Sequence, residues 1–258
     1  MALDAVETIR STFGSLKTET GLKLLGAFFV LQLLNMAATQ YLVPAGGAAS
    51  VIGGVSALVL AVASIALFIG AMRALDQMEL KQEFFTSDLV MPFLRLTGAQ
   101  IVLSVFALIA LYLALIPLML LGGGLGMLTS LGGGLGSSAS PIIMMLGGLV
   151  GLVFLLYPVY TLITSLPMVV IDGRRMFEAL DSSVLRSKGN KIAMFIASVP
   201  VGILYVVTLA TALAGAVTGA SVSGGQSPGA ILLVSVMNSV TGVVFLSLLV
   251  EYNKRLPE

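Results

Sequence analysis

The 258-residue sequence contains no cysteine, no histidine and no tryptophan. The lack of cysteine and histidine excludes disulfides, thiolate nucleophiles, zinc sites built from Cys and His, haem held by histidine, and histidine acid–base catalysis. Charge is also scarce, because Asp, Glu, Lys and Arg make up only 10% of the chain. A soluble domain carries about 25% charged residues. We therefore predict that this chain is solvated by lipid.

Apolar residues are abundant instead, at 58% of the chain, and the mean hydropathy is +1.08. Six apolar runs each have the roughly 20 residues that one membrane crossing needs. Lipid offers backbone groups no hydrogen-bond partner, so each crossing should be a helix. The prediction is an all-α protein, a single membrane domain with six transmembrane helices at about 22–43, 51–72, 100–121, 142–170, 192–214 and 229–250.

The charges are confined to alternate connections. All 13 basic and 12 acidic residues lie before or at the very start of the first run, between the second and third, between the fourth and fifth, or after the sixth. The other three connections, 44–50, 122–141 and 215–228, carry no charge. By the positive-inside rule the charged face is cytoplasmic. We therefore expect a multi-pass plasma-membrane protein with both termini in the cytoplasm.

Two charged segments show the apolar spacing of an amphipathic helix. In residues 1–20 the apolar positions are Leu3, Val6, Ile9, Phe13 and Leu16. In the connection between the fourth and fifth runs they are Phe177, Leu180 and Val184. An amphipathic helix beside a span tends to lie along the headgroup layer. The pattern predicts interfacial helices on the cytoplasmic side.

The connection between the fourth and fifth runs also holds a basic cluster. Its members are Arg174, Arg175, Arg186, Lys188 and Lys191. Such a cluster is typical of a contact with anionic lipid headgroups. It also fits an anchor that only fixes the topology of the connection. Membrane lipids are thus the expected partners, while a net charge of +1 gives no indication of nucleic acid.

Three amide side chains lie deep in the predicted first and sixth spans. Asn35 follows Lys23 by 12 residues, and Asn238 precedes Glu251 by 13. At 1.5 Å per residue both reach a similar depth near the bilayer midplane. Gln32 precedes Asn35 by three residues, on the same face. We predict a hydrogen bond between Asn35 and Asn238, which serves either helix adhesion or a polar substrate path.

No charged residue lies near the middle of any predicted span. Serines occur there without a histidine or lysine to activate them. We therefore expect no catalytic, cofactor-binding or metal-binding residues and no enzymatic activity. The favoured function is a membrane scaffold or lipid-interacting module, with another membrane protein as a further candidate partner. The alternative is a transporter of a small molecule or lipid, along a path lined by Asn35, Asn238 and residues 157–164.

Residues 167–195 read PMVVIDGRRMFEALDSSVLRSKGNKIAMF. A proline near the end of a span, an Ala-Leu-x-x-Ser helix and a Lys-Gly-Asn turn follow one another here. The positions are Pro167, Ala179, Leu180, Ser183, Lys188, Gly189 and Asn190. The pattern resembles archaeal and bacterial polytopic membrane proteins related to the membrane domain of glycerophosphoryl diester phosphodiesterases. The resemblance implies an all-helical membrane domain without catalytic residues, because the chemistry of that group resides in a separate soluble domain.

The glycine-rich stretch 121–140 contains LGGGLG twice. It has no lysine and does not match the phosphate-binding form G-x-x-x-x-G-K-[ST]. Because it also carries no charge, we predict a connector on the outer face and not a nucleotide site.

Overall fold

The computed structural model describes residues 3–38, 47–86, 88–105, 108–109, 161–219 and 228–256. Every regular element in these ranges is an α-helix, as predicted. In chain order the helices are α1 (Ala5–Ser15), α2 (Glu19–Ala37), α3 (Gly47–Gln77), α4 (Glu83–Thr86), α5 (Val90–Val105), α6 (Ser165–Val170), α7 (Met176–Ser187), α8 (Lys191–Gly219) and α9 (Pro228–Arg255).

Four stretches of these helices are long and apolar enough to cross a membrane. They are Glu19–Ala37, Gly53–Gln77, Lys191–Thr208 and Ile231–Arg255. They correspond to the predicted spans at 22–43, 51–72, 192–214 and 229–250, and they mark the chain as a membrane protein. Most of the predicted spans at 100–121 and 142–170 lies outside the described residues, as does the stretch 121–140.

The helix that leads into the predicted third span begins ten residues before that span. We expected it near residue 100, but α5 already begins at Val90. Pro92 lies in the first turn, where a backbone N–H has no acceptor within the helix and a proline costs little. The Phe93 N–H donates to the Leu89 carbonyl at 2.8 Å, which opens the helical ladder directly after the proline.

The predicted fourth span does not run unbroken to residue 170. The chain turns at Ile163 and Thr164 before α6 begins at Ser165. Pro167 has no N–H for the Ile163 carbonyl, and the Leu166 N–H donates to that oxygen at 3.3 Å. The proline therefore breaks the span.

The predicted helix over 1–20 is shorter than expected. The Asp4 carboxylate accepts two backbone N–H groups of the first turn of α1, at 2.9 and 3.1 Å, and the helix ends at Ser15. The Thr18 hydroxyl caps α2 by accepting the Gly21 N–H at 3.1 Å. A Cβ on Gly21 would overlap the Ser15 carbonyl. Glycine is therefore what lets α2 start so close to the end of α1.

The apolar stripe of α1 packs mainly against the protein. Leu3 is buried, and Ile9, Phe13 and Leu16 lie against the core. Only Val6 of this stripe is largely exposed, at 67%. The contact of α1 with the headgroup layer stays a prediction, and it now depends on a smaller apolar surface than the sequence indicated.

Helix α9 is the centre of the described structure, since it contacts α1, α2, α3, α6 and α8. Small side chains at its contact positions let other helices approach closely. Buried Ser235, Ser239 and Ser247 are among them. The Ser15 hydroxyl of α1 donates to Ser247 Oγ at 2.8 Å. Burial of α9 therefore holds the other helices in one bundle.

The four charge-bearing segments meet at one end of this bundle. Side chains of the C-terminal turn of α9 contact the other three charged segments. In addition, the connection between the second and third predicted spans contacts the connection between the fourth and fifth. The contacts are Arg255 with Glu7, Lys254 with Asp76, Asn253 with Arg186, and Arg95 with the Gly173 carbonyl. The side of the membrane on which this charged end lies stays a prediction.

Met78, Asp88, Gly173 and Gly189, all near the charged end, have a left-handed backbone. Met78, directly after α3, has φ +54°, and the Glu79 N–H donates to the Ala74 carbonyl at 3.1 Å, a helix-ending pattern that favours glycine. Gly189, between α7 and α8, has φ +83°. A Cβ there would meet nothing within 4 Å, so only the backbone conformation resists a side chain.

We expect Met78→Gly to raise the free energy of unfolding by about 1 kcal/mol, because it relieves left-handed strain. Gly189→Ala should lower it by a similar amount for the converse reason. Thermal unfolding midpoints of both variants in one detergent measure this. Gly26→Ala, on an exposed right-handed position of α2, is the control and should not destabilise. A Met78→Gly variant that unfolds earlier than the parent would contradict the interpretation.

Candidate functional site

A serine of α7, Ser183, contacts the chain where it turns at residues 163 and 164, before α6 begins. The Ser183 hydroxyl donates to the Thr161 carbonyl at 2.7 Å and lies 2.6 Å from the Thr164 hydroxyl. Residues 161–170 are all buried, and Ser183 has no exposed surface. Water therefore cannot serve this carbonyl, and the serine supplies a donor where the helical ladder is interrupted.

The turn from α7 into α8 is held by Asn190. Its Oδ1 accepts the Leu3 N–H at 3.0 Å, and its Nδ2 donates to the Arg186 carbonyl at 3.4 Å. Its own carbonyl accepts the Met194 N–H at 2.9 Å and so starts α8. One buried side chain thus joins the N-terminal segment to the end of α7.

The family-like motif therefore has a structural explanation. Pro167 interrupts the predicted fourth span, and the Ser183 hydroxyl donates to a carbonyl at this interruption. Gly189 allows the turn before Asn190. Ala179 and Leu180 are both buried on the inner side of α7. These positions hold α7 firmly against the ends of the membrane helices.

The predicted basic cluster does not act as one surface. Arg186 is only 7% exposed and donates to Asn253 Oδ1 at 3.1 Å, so it turns inward and not toward headgroups. The Arg174 guanidinium donates to Ser182 Oγ at 2.7 Å. Lys191 is half-buried at the start of α8. The sequence could not show this division, because the acceptor for Arg186 comes from α9.

The two exposed cations flank apolar side chains that point outward. Arg175 and Lys188 lie at the two ends of α7, and both are exposed. Between them Phe177 is 75% and Leu185 66% exposed, and Val184 is also exposed. We call these five residues the outer face of α7. Of the predicted apolar stripe only Leu180 faces inward. Glu178 and Asp181 of the same helix are exposed as well, so the exposed side of α7 combines apolar, basic and acidic side chains, as an interfacial helix does.

A second feature is a groove of 860 Å³ between α8 and α9. One wall is α8 from residue 195 to 207, and the other is α9 from residue 238 to 252. Gln32 of α2 and Ile163 also line it. Most lining side chains are apolar, among them Phe195, Val199 and Val206. Within the described part of the chain, no Asp, Glu, Lys or Arg lines the groove.

The register of α2 against α9 fixes the depth of the amides. The Phe28 ring lies 3.9 Å from the point that a Cβ would occupy if Gly242 had one. Two turns farther along α2, Met36 Sδ accepts a hydrogen bond from the Ser235 hydroxyl at 3.3 Å. The helices are thus antiparallel, and the level halfway between these contacts passes through Gln32 and through residues 238–239.

Gln32 and Asn238 therefore share one level, and both line the groove. Asn35 is half-buried and about 4.5 Å farther along α2, at three residues of 1.5 Å each. The structure brings Gln32 and Asn238 to one level, and among the described contacts no hydrogen bond joins Asn35 to Asn238. Among the described residues, neither Gln32 nor Asn238 has a hydrogen-bond partner.

No protein-family model, curated protein or solved structure matches this chain. The resemblance of residues 167–195 to the phosphodiesterase-related membrane domains therefore stays a prediction.

We expect Ser183→Ala to lower the free energy of unfolding by about 1–3 kcal/mol, because it removes a buried hydrogen bond to the Thr161 carbonyl. Ser64→Ala is the matched control, since the Ser64 hydroxyl donates only to the Leu60 carbonyl of its own helix. That change should stay within about 0.5 kcal/mol. Urea unfolding in mixed micelles compares the two. Equal losses in both variants would contradict a special role for Ser183.

Proposed function

We propose that this chain is a six-span membrane protein whose role is non-enzymatic lipid interaction at its cytoplasmic surface. The observation that carries the proposal is the outer face of α7, with apolar side chains between two exposed cations. In this role the protein acts as a lipid-binding scaffold in the plasma membrane. A further membrane protein is a compatible partner.

The position of α7 supports a contact with headgroups. Its inner side is fixed through Ser183, Arg186 and Ser187, so the outer face cannot turn into the protein. Three residues separate the end of α7 from Lys191, where a helix long enough to cross the membrane begins. Phe177 and Leu185 thus lie where apolar side chains enter the headgroup boundary.

Charge supports a preference for anionic lipids. A cation at the membrane surface is attracted to an anionic leaflet by about 1 kcal/mol. Arg175 and Lys188 place one such charge at each end of the exposed apolar side chains, and the exposed Glu178 and Asp181 direct anionic headgroups to these two ends. A lipid phosphate can therefore approach either end while acyl chains contact the side chains between them.

The groove favours transport as a second candidate function. It extends from the charged end to the level of Gln32 and Asn238. Its apolar lining suits a lipid better than an ion. If the protein moves a fluorescent lipid between leaflets faster than protein-free vesicles do, transport is supported. Equal rates support a binding module.

We expect Arg175→Gln and Lys188→Gln each to weaken binding of phosphatidylglycerol about fivefold, the equivalent of about 1 kcal/mol per charge. Native mass spectrometry of protein exchanged between phosphatidylcholine and phosphatidylglycerol nanodiscs measures the bound lipid. The control pair is Arg10→Gln and Lys17→Gln, exposed cations at the same end of the bundle. If both pairs lose lipid equally, the outer face of α7 is not a specific contact.

Cysteine labelling tests the orientation, because the chain has no native cysteine. Gln82→Cys lies in a charged connection and Ser223→Cys in a charge-free one. A membrane-impermeant maleimide should label Ser223→Cys on intact cells and Gln82→Cys only after permeabilisation. The reverse order would overturn the proposed cytoplasmic side.

A further inference from the structure

We propose that the groove between α8 and α9 binds one uncharged, mostly hydrocarbon molecule through a carbonyl or hydroxyl group that hydrogen-bonds to Gln32 and Asn238. This site is separate from the outer face of α7, and the inference does not depend on headgroup binding there.

The dimensions and lining of the groove fit a hydrocarbon body. Its α8 wall, from residue 195 to 207, rises about 18 Å, which exceeds half of the roughly 30 Å hydrocarbon core. Its volume of 860 Å³ falls within the range of about 300–1,000 Å³ that is usual for ligand sites. Val199, Val206 and Leu249 are typical of its walls.

The two amides require a polar atom in the ligand. Gln32 and Asn238 face an apolar space at membrane depth, and neither has a partner among the described residues. A polar group in such surroundings is costly unless it is hydrogen-bonded. Each amide both donates and accepts, so the pair suits a carbonyl oxygen as well as a hydroxyl. The polar group of the ligand therefore lies at the deep end of the groove.

The ligand is uncharged because the groove offers no counter-charge. Its described lining contains no acidic or basic side chain. An ion at this depth without a partner is strongly disfavoured. A phospholipid headgroup or a carboxylate anion at the level of the amides is thereby disfavoured against a neutral alcohol or ketone.

The test uses the full chain in phosphatidylcholine nanodiscs and a diazirine-bearing hexadecanol as probe. Photolabel should concentrate on residues 195–207 and 238–252. Hexadecanol should compete with the label at least about threefold better than hexadecane, which fills the groove without hydrogen-bonding. Equal competition by hexadecane would overturn the role of the amides.

Variants locate the site. Asn238→Leu should lower groove labelling about 3- to 10-fold, and Gln32→Leu provides a second amide variant should the first not fold. A Cβ on Gly202 meets nothing within 4 Å, so Gly202→Leu places a side chain in the groove and should abolish labelling. Gly54→Leu, equally open but on α3, is the control and should label as the parent does.

Three further outcomes contradict the inference: unchanged labelling in Gly202→Leu, unchanged labelling in both amide variants, or label that spreads without saturation over α3 as well. None of these outcomes would contradict the headgroup proposal, because that proposal is tested separately, by the binding of phosphatidylglycerol to variants of Arg175 and Lys188. Conversely, loss of the phosphatidylglycerol preference would not alter labelling of the groove.

Discussion

Carbonyls that leave the helical ladder accept hydrogen bonds from within the protein, and at the buried Thr161 no solvent could replace that donor. The donors are side chains from other parts of the chain. They are Ser183 to the Thr161 carbonyl, Thr20 to Met78, Lys254 to Asp76 and Arg95 to Gly173. Each bond lies at the end or interruption of one helix and also holds a second segment of the chain beside it. The same hydrogen bonds therefore satisfy the ends of helices and join the segments of the charged end.

Hydropathy predicted the helical class and four of the spans, because the length and apolar character of a crossing are set by the bilayer. It failed at two prolines, where backbone geometry decides. Pro92 and Pro167 each occupy the third position of a helix, after Val90 and Ser165. A missing N–H is harmless at that position, so Pro92 and Pro167 each mark the start of a helix, whereas Pro200 lies in the interior of α8.

The sequence predicted the depth of the candidate site residues in the membrane, but not which neighbouring residues their side chains face. Counting residues placed the amides near one level, yet only the register of α2 on α9 selects Gln32 as the neighbour of Asn238. On α7 the apolar spacing concealed a polar inner side, where Ser183 and Arg186 bind acceptors from distant segments. A local pattern contains no information about such acceptors. Gly202, which opens the groove, carries no sequence signal beyond its position on α8.

The groove lies between two hydrogen-bonded ties of α8 to α9. At the charged end the Tyr252 hydroxyl donates to the Met194 carbonyl at 2.5 Å, and at the deep end the Thr208 and Thr241 hydroxyls lie 3.2 Å apart. The helices are thus fixed at both ends of the space, and closing it would require breaking a buried bond. Thr241 lies one turn from Asn238, so the deep tie also holds α9 where that amide meets the groove. A fixed gap with two amides at its deep end, neither of them partnered among the described residues, suits an occupant that supplies hydrogen bonds there.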